Sequence, residues 1–124
     1  MNDKKMDDTT TIKKIKEAVA AFVAERDWEK FHSPKNMSMD IAAEAAELME
    51  FFMWVEGKES YEIVNEKRKE VEDEVADIFM GLICFCNTSN IDLSCAFERK
   101  LALTKKNYPV EKAKGSCKKY TDYK

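Results

Sequence analysis

The sequence predicts an all-α protein built on a core of four helices, and three observations point there. Glycine and proline are scarce, three and two in 124 residues, against 44% hydrophobic and 36% charged residues. That composition suits packed helices better than a turn-rich sheet or a disordered chain. Apolar residues recur at spacings of three and four through most of the length, the period of a helix face. The interruptions carry residues that start or stop helices, namely Pro34, Gly57, Asp92 and Tyr108-Pro109. One domain with its own core, residues 1–124, is expected at this length.

Residues 1–8 read as a charged tail, and Thr9 to Thr11 offer hydroxyls to cap the helix that follows. The first helix is expected from about Ile12 to Lys30, with Ile12, Ile15, Val19, Phe22 and Val23 on one amphipathic face. A loop from Phe31 to Asn36 comes next, because the residue before Pro34 is pushed out of α geometry. The second helix is expected from about Ser38 to Glu56, stopped by Gly57. The third runs from about Tyr61 to Asn87, charged in its first half and apolar in its second, so that it passes from solvent into the core. Gly81 lies four residues after Asp77 on the same face, where a missing side chain leaves room for a ligand or lets a neighbouring helix come close, close packing being the preferred reason. Asn87 to Asn90 form a turn, Asp92 caps a fourth helix reaching about Lys106, and Tyr108-Pro109 ends it. Residues 110–124 are expected to be irregular, with Gly115 and Ser116 as turn formers.

Several function classes are disfavoured at once. The longest unbroken apolar run, Ile78 to Cys86, is too short to span a bilayer, and the N-terminus has no signal-peptide core, so a cytoplasmic protein without a membrane partner is expected. Cys84 and Cys86 sit in an apolar helical run facing different sides, and reduced thiols packed as small hydrophobes are expected for all four cysteines. Net charge is −3, unevenly spread: Arg99 to Lys119 hold eight Lys/Arg and one Glu, giving +7, and the remainder carries −10. The basic stretch is a solvated surface or a phosphate-binding one. The acidic remainder argues against a nucleic acid polymer as partner.

The chemistry is concentrated in two acidic signatures. Glu44-x-x-Glu47 and Glu74-x-x-Asp77 each aim two carboxylates the same way from one helix face. At about 100° per residue, the first pair flanks the stripe Ile41, Leu48, Phe52, Val55, and the second flanks Val71, Val75, Ile78, Leu82, Phe85. Four carboxylates at the edge of a core repel and raise one another's pKa unless cations neutralise them. A hard divalent metal with oxygen ligands resolves this. Di-iron bundles use Glu-x-x-His pairs, and the single histidine, His32, lies in a loop, so Mg²⁺ is preferred, with Mn²⁺ as the alternative. Mg²⁺ keeps water and substrate phosphates in its shell, which points to phosphate-ester chemistry. Trp28, at the start of the loop, and Trp54, ten residues after Glu44 and expected on the carboxylate side of the second helix, supply flat faces of the kind a nucleobase stacks on. A non-catalytic helical module whose acidic faces bind a basic partner is the alternative from another class.

The strings RDWEKFHSPKN, the E-x-x-E helix ending in FMW, EVEDEVADI and NIDLSCAFERKLALTKKNYPVEKAKGSCKKYTDYK, together covering about residues 10 to 123, resemble the MazG-type all-α nucleotide pyrophosphohydrolases, in particular their dCTP-pyrophosphatase-like branch. The resemblance implies Mg²⁺-dependent hydrolysis of a nucleoside triphosphate between its α and β phosphates, with dCTP or a modified pyrimidine deoxynucleotide favoured and nucleotide-pool cleansing as the role. A related, dUTPase-like phosphohydrolase with another preference is the neighbouring reading. It makes Glu44, Glu47, Glu74 and Asp77 the metal ligands and catalytic carboxylates. It assigns Trp28, Trp54, His32 and Asn36 to the base pocket and its loop, brings Lys100 to the phosphates, and includes Tyr108 among the binding residues. It also implies a homodimer or homotetramer in which oligomerisation completes the bundle. The chain departs from the pattern at Thr104 and Asn107, where relatives often carry Asn and a basic residue, and at Val19, where vertebrate dCTP enzymes carry histidine.

Overall fold

A computed structural model describes residues 4–124, so part of the expected 1–8 tail lies outside the described residues. Within them the chain is helical and divides into two compact units, one ending at Asn90 and one formed by Ile91–Lys124.

In the first unit Thr11 caps α1 (Ile12–Glu25) by accepting the Lys14 N–H at 3.2 Å. The helix stops five residues short of the expected Lys30. The Trp28 N–H reaches back to the Val23 carbonyl and the Asp27 N–H to that of Ala24, both at 3.1 Å, while Asp27 takes φ 55. This paired closure is the one helices usually make with glycine in the left-handed position. Its customary apolar contact is present too, the Trp28 ring standing edge-on to Phe22 with centroids 5.6 Å apart. A short 3-10 turn, Glu29–Phe31, follows.

The second helix, α2 (Pro34–Glu50), begins earlier and ends earlier than expected. Pro34 takes the first helical position, where its fixed φ is an advantage and its missing N–H costs nothing. Ser33 caps the helix through the Asn36 N–H at 3.1 Å. At the other end Phe51 and Phe52 bond back three residues rather than four, and the tightened turn unwinds before Gly57 is reached. Trp54 therefore sits in a turn, 91% exposed, not on the helix.

The expected third helix is two: α3 (Ser60–Glu66) and α4 (Arg68–Ser89), separated by Lys67 at φ −112, ψ 36. Asn90 closes α4 in the left-handed conformation, which asparagine tolerates. Both α1 and α2 pack against α4. Gly81 permits that approach: a Cβ there would stand 3.2 Å from Ile41 Cγ1 and 3.0 Å from Asp40 Oδ2. The core forms around Val23, Met37 and Cys84 with Val19 and Phe85 against them, and Ile83 is fully enclosed. Two members of the expected α4 stripe, Val75 and Leu82, are instead exposed, as are Phe79 and Met80, because α4 is apolar on more faces than α1 and α2 cover.

The second unit holds α5 (Leu93–Asn107), capped by Asp92 through the Cys95 N–H at 2.9 Å. Its terminal stretch is more ordered than expected, with a one-turn α6 (Val110–Ala113) and a 3-10 turn at Tyr120–Asp122. Tyr108 lies edge-on to both Tyr120 and Tyr123, centroids 5.5 and 6.1 Å away. All four cysteines are free thiols, Cys84 and Cys86 buried, Cys95 and Cys117 exposed. Among the described residues no single helix is long and apolar enough to cross a membrane.

Candidate active site

The close packing that Gly81 allows puts the carboxylates of α2 and α4 face to face. Oxygens from Glu44, Glu74 and Asp77 lie within 4.8 Å of one another, the spacing of ligands around one cation. Glu44 Oε2 and Glu74 Oε2 are buried without a hydrogen-bond partner. Buried polar atoms are nearly always satisfied, so two unpartnered carboxylate oxygens in this cluster are what a bound cation could satisfy. Burial raises the Glu44 carboxyl above its ordinary value, and Glu47, Asp77, Asp40 and Glu74 add repulsion. Burial likewise raises Glu74, helped by a hydrogen bond to the Glu47 carboxyl and by the charges of Glu47, Asp77 and Asp73.

Glu47 stands slightly apart from the three. It shares a depression of about 380 Å³ with Glu50, Phe51, Lys67 and Glu74. Asp40 and Lys67 are site neighbours that sequence reading passed over. Asp40 precedes Glu44 by four residues on α2, a spacing that signals the shared face. Lys67 sits at a helix break with no proline or glycine to announce it.

Beside the carboxylates a cavity of about 220 Å³ is bounded by Glu44 and Asp77 at one side and by Trp28, Phe22 and His32 at the other. The closure of α1 at Asp27 is what turns Trp28 and His32 back toward α4. Asn36 is part of this loop's framework, its Nδ2 donating to the Phe31 carbonyl at 2.9 Å. Trp54 is not among the residues lining these cavities. Lys100 and Tyr108 belong to the second unit, on α5 and at its end.

The profile of the MazG-like family matches residues 40–123, which include all four carboxylates. The chain belongs to the MazG-like family. Among curated relatives it is 33% identical over 116 residues to dCTP pyrophosphatase 1 of Rattus norvegicus, covering 90% of this chain and 67% of the relative. It is 32% identical over 114 residues to dCTP pyrophosphatase 1 of Homo sapiens, with the same coverage. Among solved structures, a pyrophosphatase from Archaeoglobus fulgidus superimposes with a TM-score of 0.78 at 31% identity, over 86% of this chain and 99% of that one. The MazG-like chain is thus an enzyme of the pyrophosphohydrolase class, all-helical over the described residues as its sequence predicted, with an acidic cluster that could hold a metal ion.

Proposed function

We propose that this enzyme is a Mg²⁺-dependent nucleoside triphosphate pyrophosphohydrolase that converts a deoxynucleotide, dCTP or a modified pyrimidine favoured, to its monophosphate and pyrophosphate in the cytoplasm, where it cleanses the nucleotide pool. The observation that carries this reading is the set of three converging carboxylates with two unpartnered oxygens, next to a cavity walled by an aromatic ring. The names of the relatives support a dCTP-type substrate.

In this reading Glu44, Glu74 and Asp77 hold the ion, Mn²⁺ serving as a substitute, and Glu47, which lines the same depression as Glu74, completes the set. A bound divalent ion would offset charge on the scissile phosphates. The chain's own groups do the rest. One of the four carboxylates accepts the proton of the attacking water, and the buried walls exclude bulk solvent. Trp28 offers its face to the base, with His32 at the pocket's side and Asn36 bracing the loop. Lys100 is assigned to the phosphates and Tyr108 to the substrate-binding residues, as the family resemblance implies. A homodimer or homotetramer is part of the proposal, supported by the uncovered Val75, Phe79, Met80 and Leu82 on α4 and by Trp54, whose exposed ring is free to complete a neighbouring subunit's pocket.

Pyrophosphate release from a panel of deoxynucleotides, with Mg²⁺ and with EDTA, tests the reading. Release is expected with metal and is lost on chelation. Metal-independent release, or none from any nucleotide, overturns it and favours the non-catalytic acidic module.

A further inference from the structure

The carboxylate cluster has a hollow on each side. Toward α1, Asp40 and Glu44 of α2 and Asp77 and Gly81 of α4 help to line the cavity of about 220 Å³ that Trp28 bounds. Farther along both helices, Glu47, Glu50 and Phe51 from one side and Glu74 from the other line the depression of about 380 Å³, where Lys67 stands at the break before α4. The seam reaches that depression forward in sequence along α2 and backward along α4, so the two hollows lie at opposite ends of it. Ten residues separate Asp77 from Lys67, about 15 Å of helix. A nucleotide with its base in the first hollow and its phosphates across the carboxylates has the second hollow ahead of it.

Lys67 is the only cation among the described residues that line the second hollow. Its backbone ends α3 and starts α4 at once: the N–H donates to the Ile63 carbonyl and the carbonyl accepts the Val71 N–H, both at 2.9 Å. That two-sided anchorage fixes where the side chain departs. The ammonium stands 5.9 Å from the centroid of the Phe51 ring, and among the described residues it forms no ion pair, although three glutamates share its hollow. The neighbouring Arg68 is engaged elsewhere, by Glu72 at 3.7 Å and by the Asn65 side chain at 3.1 Å. A cation held by a ring and committed to no carboxylate is available to an anion that arrives.

We infer that Lys67 receives the leaving pyrophosphate. This rests on the hydrolase proposed above and deepens it, giving the β- and γ-phosphates a residue of the first unit. In that reaction the water oxygen bonds to the α-phosphorus, and the bond from that phosphorus to the α–β bridging oxygen breaks. The electron pair stays with the pyrophosphate, and the water's proton passes to a carboxylate. Negative charge therefore grows on the departing group, at the end of the seam away from the base. Three glutamates alone would repel it. With Glu47 and Glu74 committed to the ion in the proposed reading, Lys67 offsets the charge of Glu50 and gives the departing oxygens a charge-assisted donor. Its exposed side chain also leaves the product a way out to solvent.

The test is calorimetric binding of methylenediphosphonate to the full chain in Mg²⁺, with dCMP and Mg²⁺ alone titrated in parallel. The diphosphonate has the shape and charge of pyrophosphate with a carbon bridge that is not hydrolysed, and dCMP lacks the β- and γ-phosphates. Lys67→Met keeps a chain to lie over Phe51 and removes the charge. It is expected to weaken the diphosphonate about tenfold, the worth of one charge-assisted hydrogen bond, and to change dCMP affinity by less than about twofold. Mg²⁺ alone should bind this variant at least as tightly as wild type, since no ammonium opposes it. Lys67→Arg, which keeps the charge and suits phosphate oxygens, should bind the diphosphonate as wild type does. Undiminished diphosphonate binding by Lys67→Met, no binding by wild type, a loss that dCMP or Mg²⁺ alone shares, or an equal loss in Lys67→Arg overturns the inference. Pyrophosphate release by the same wild-type preparation separates the two readings: its absence from every nucleotide refutes the hydrolase, while the diphosphonate titration still decides the role of Lys67.

Discussion

Removing the Glu44 carboxylate while keeping its shape should stabilise the protein without metal and destabilise it with metal. At about pH 8 the wild-type carboxylates repel. Charges within 4.8 Å cost at least about 0.9 kcal/mol per pair with water's dielectric and up to about 3.5 kcal/mol at an effective value near 20. The site is only half-buried, so the lower figure is the better guide for Glu44 against Asp77, roughly 1 kcal/mol. Glu44→Gln removes that repulsion and leaves an amide of similar size at the unpartnered position. For a domain of this length 1 kcal/mol corresponds to about 4 °C, so its Tm in EDTA should rise by about that much. Mg²⁺ at a hundred times its Kd adds about 2.7 kcal/mol to wild type, about 10 °C, and little to the variant. Melting curves in EDTA and in Mg²⁺ should therefore change order. A Glu44→Gln protein that melts lower than wild type in EDTA, or that gains as much from Mg²⁺, refutes the repelling metal cluster.

Three other outcomes follow from the same geometry. The carboxyls of Glu44 and Glu74 are raised from 4.5, so the folded metal-free protein holds more protons than the unfolded chain between that value and the raised ones. Its stability should be highest at acid pH and fall as pH rises through the raised values, whereas the increment from Mg²⁺, which needs the ionised groups, should grow over the same range; a metal-free Tm that rises across this window contradicts the shifts. Gly81→Val drives methyl groups into Asp40 and Ile41, costing about 1–3 kcal/mol by overpacking against roughly 0.4 kcal/mol gained in helix propensity, so thermal melting should show a net loss and calorimetry a weaker Mg²⁺ affinity. Asp27→Gly relieves a left-handed non-glycine residue at the expense of an exposed ion pair to Lys30, 2.9 Å long, and should raise Tm by a few degrees, about 1 kcal/mol, with pyrophosphate release retained.

How far the sequence could be read depended on whether local chemistry decided the structure. The acidic pairs were legible because helical spacing alone puts Glu44 with Glu47 and Glu74 with Asp77; Asp92 acts through short-range capping, and Gly81, though it packs on the distant Asp40 and Ile41, is announced by its own missing side chain. Helix ends set by tertiary contacts were not. The end of α1 uses aspartate where glycine is the usual signal, and it is secured by Trp28 against Phe22, a contact invisible to a propensity argument. The early end of α2 displaced Trp54 from the face on which periodicity had set it. The exposure of Val75 and Leu82 escaped prediction for a different reason: an apolar stripe says that a face will be covered, not whether the same chain does the covering.

The joint at Asp27 gives the enzyme a division of labour. The carboxylates depend on how α2 lies along α4, whereas Trp28 and His32 ride on a few residues whose course is fixed by one left-handed dihedral and by the Ser33 cap and Pro34 that begin α2. Substitutions or single-residue insertions in that short connector can re-aim the side chains proposed to meet the substrate while the carboxylates of α2 and α4 stay in register. A lineage built this way can drift from one nucleotide to another without passing through an inactive ancestor.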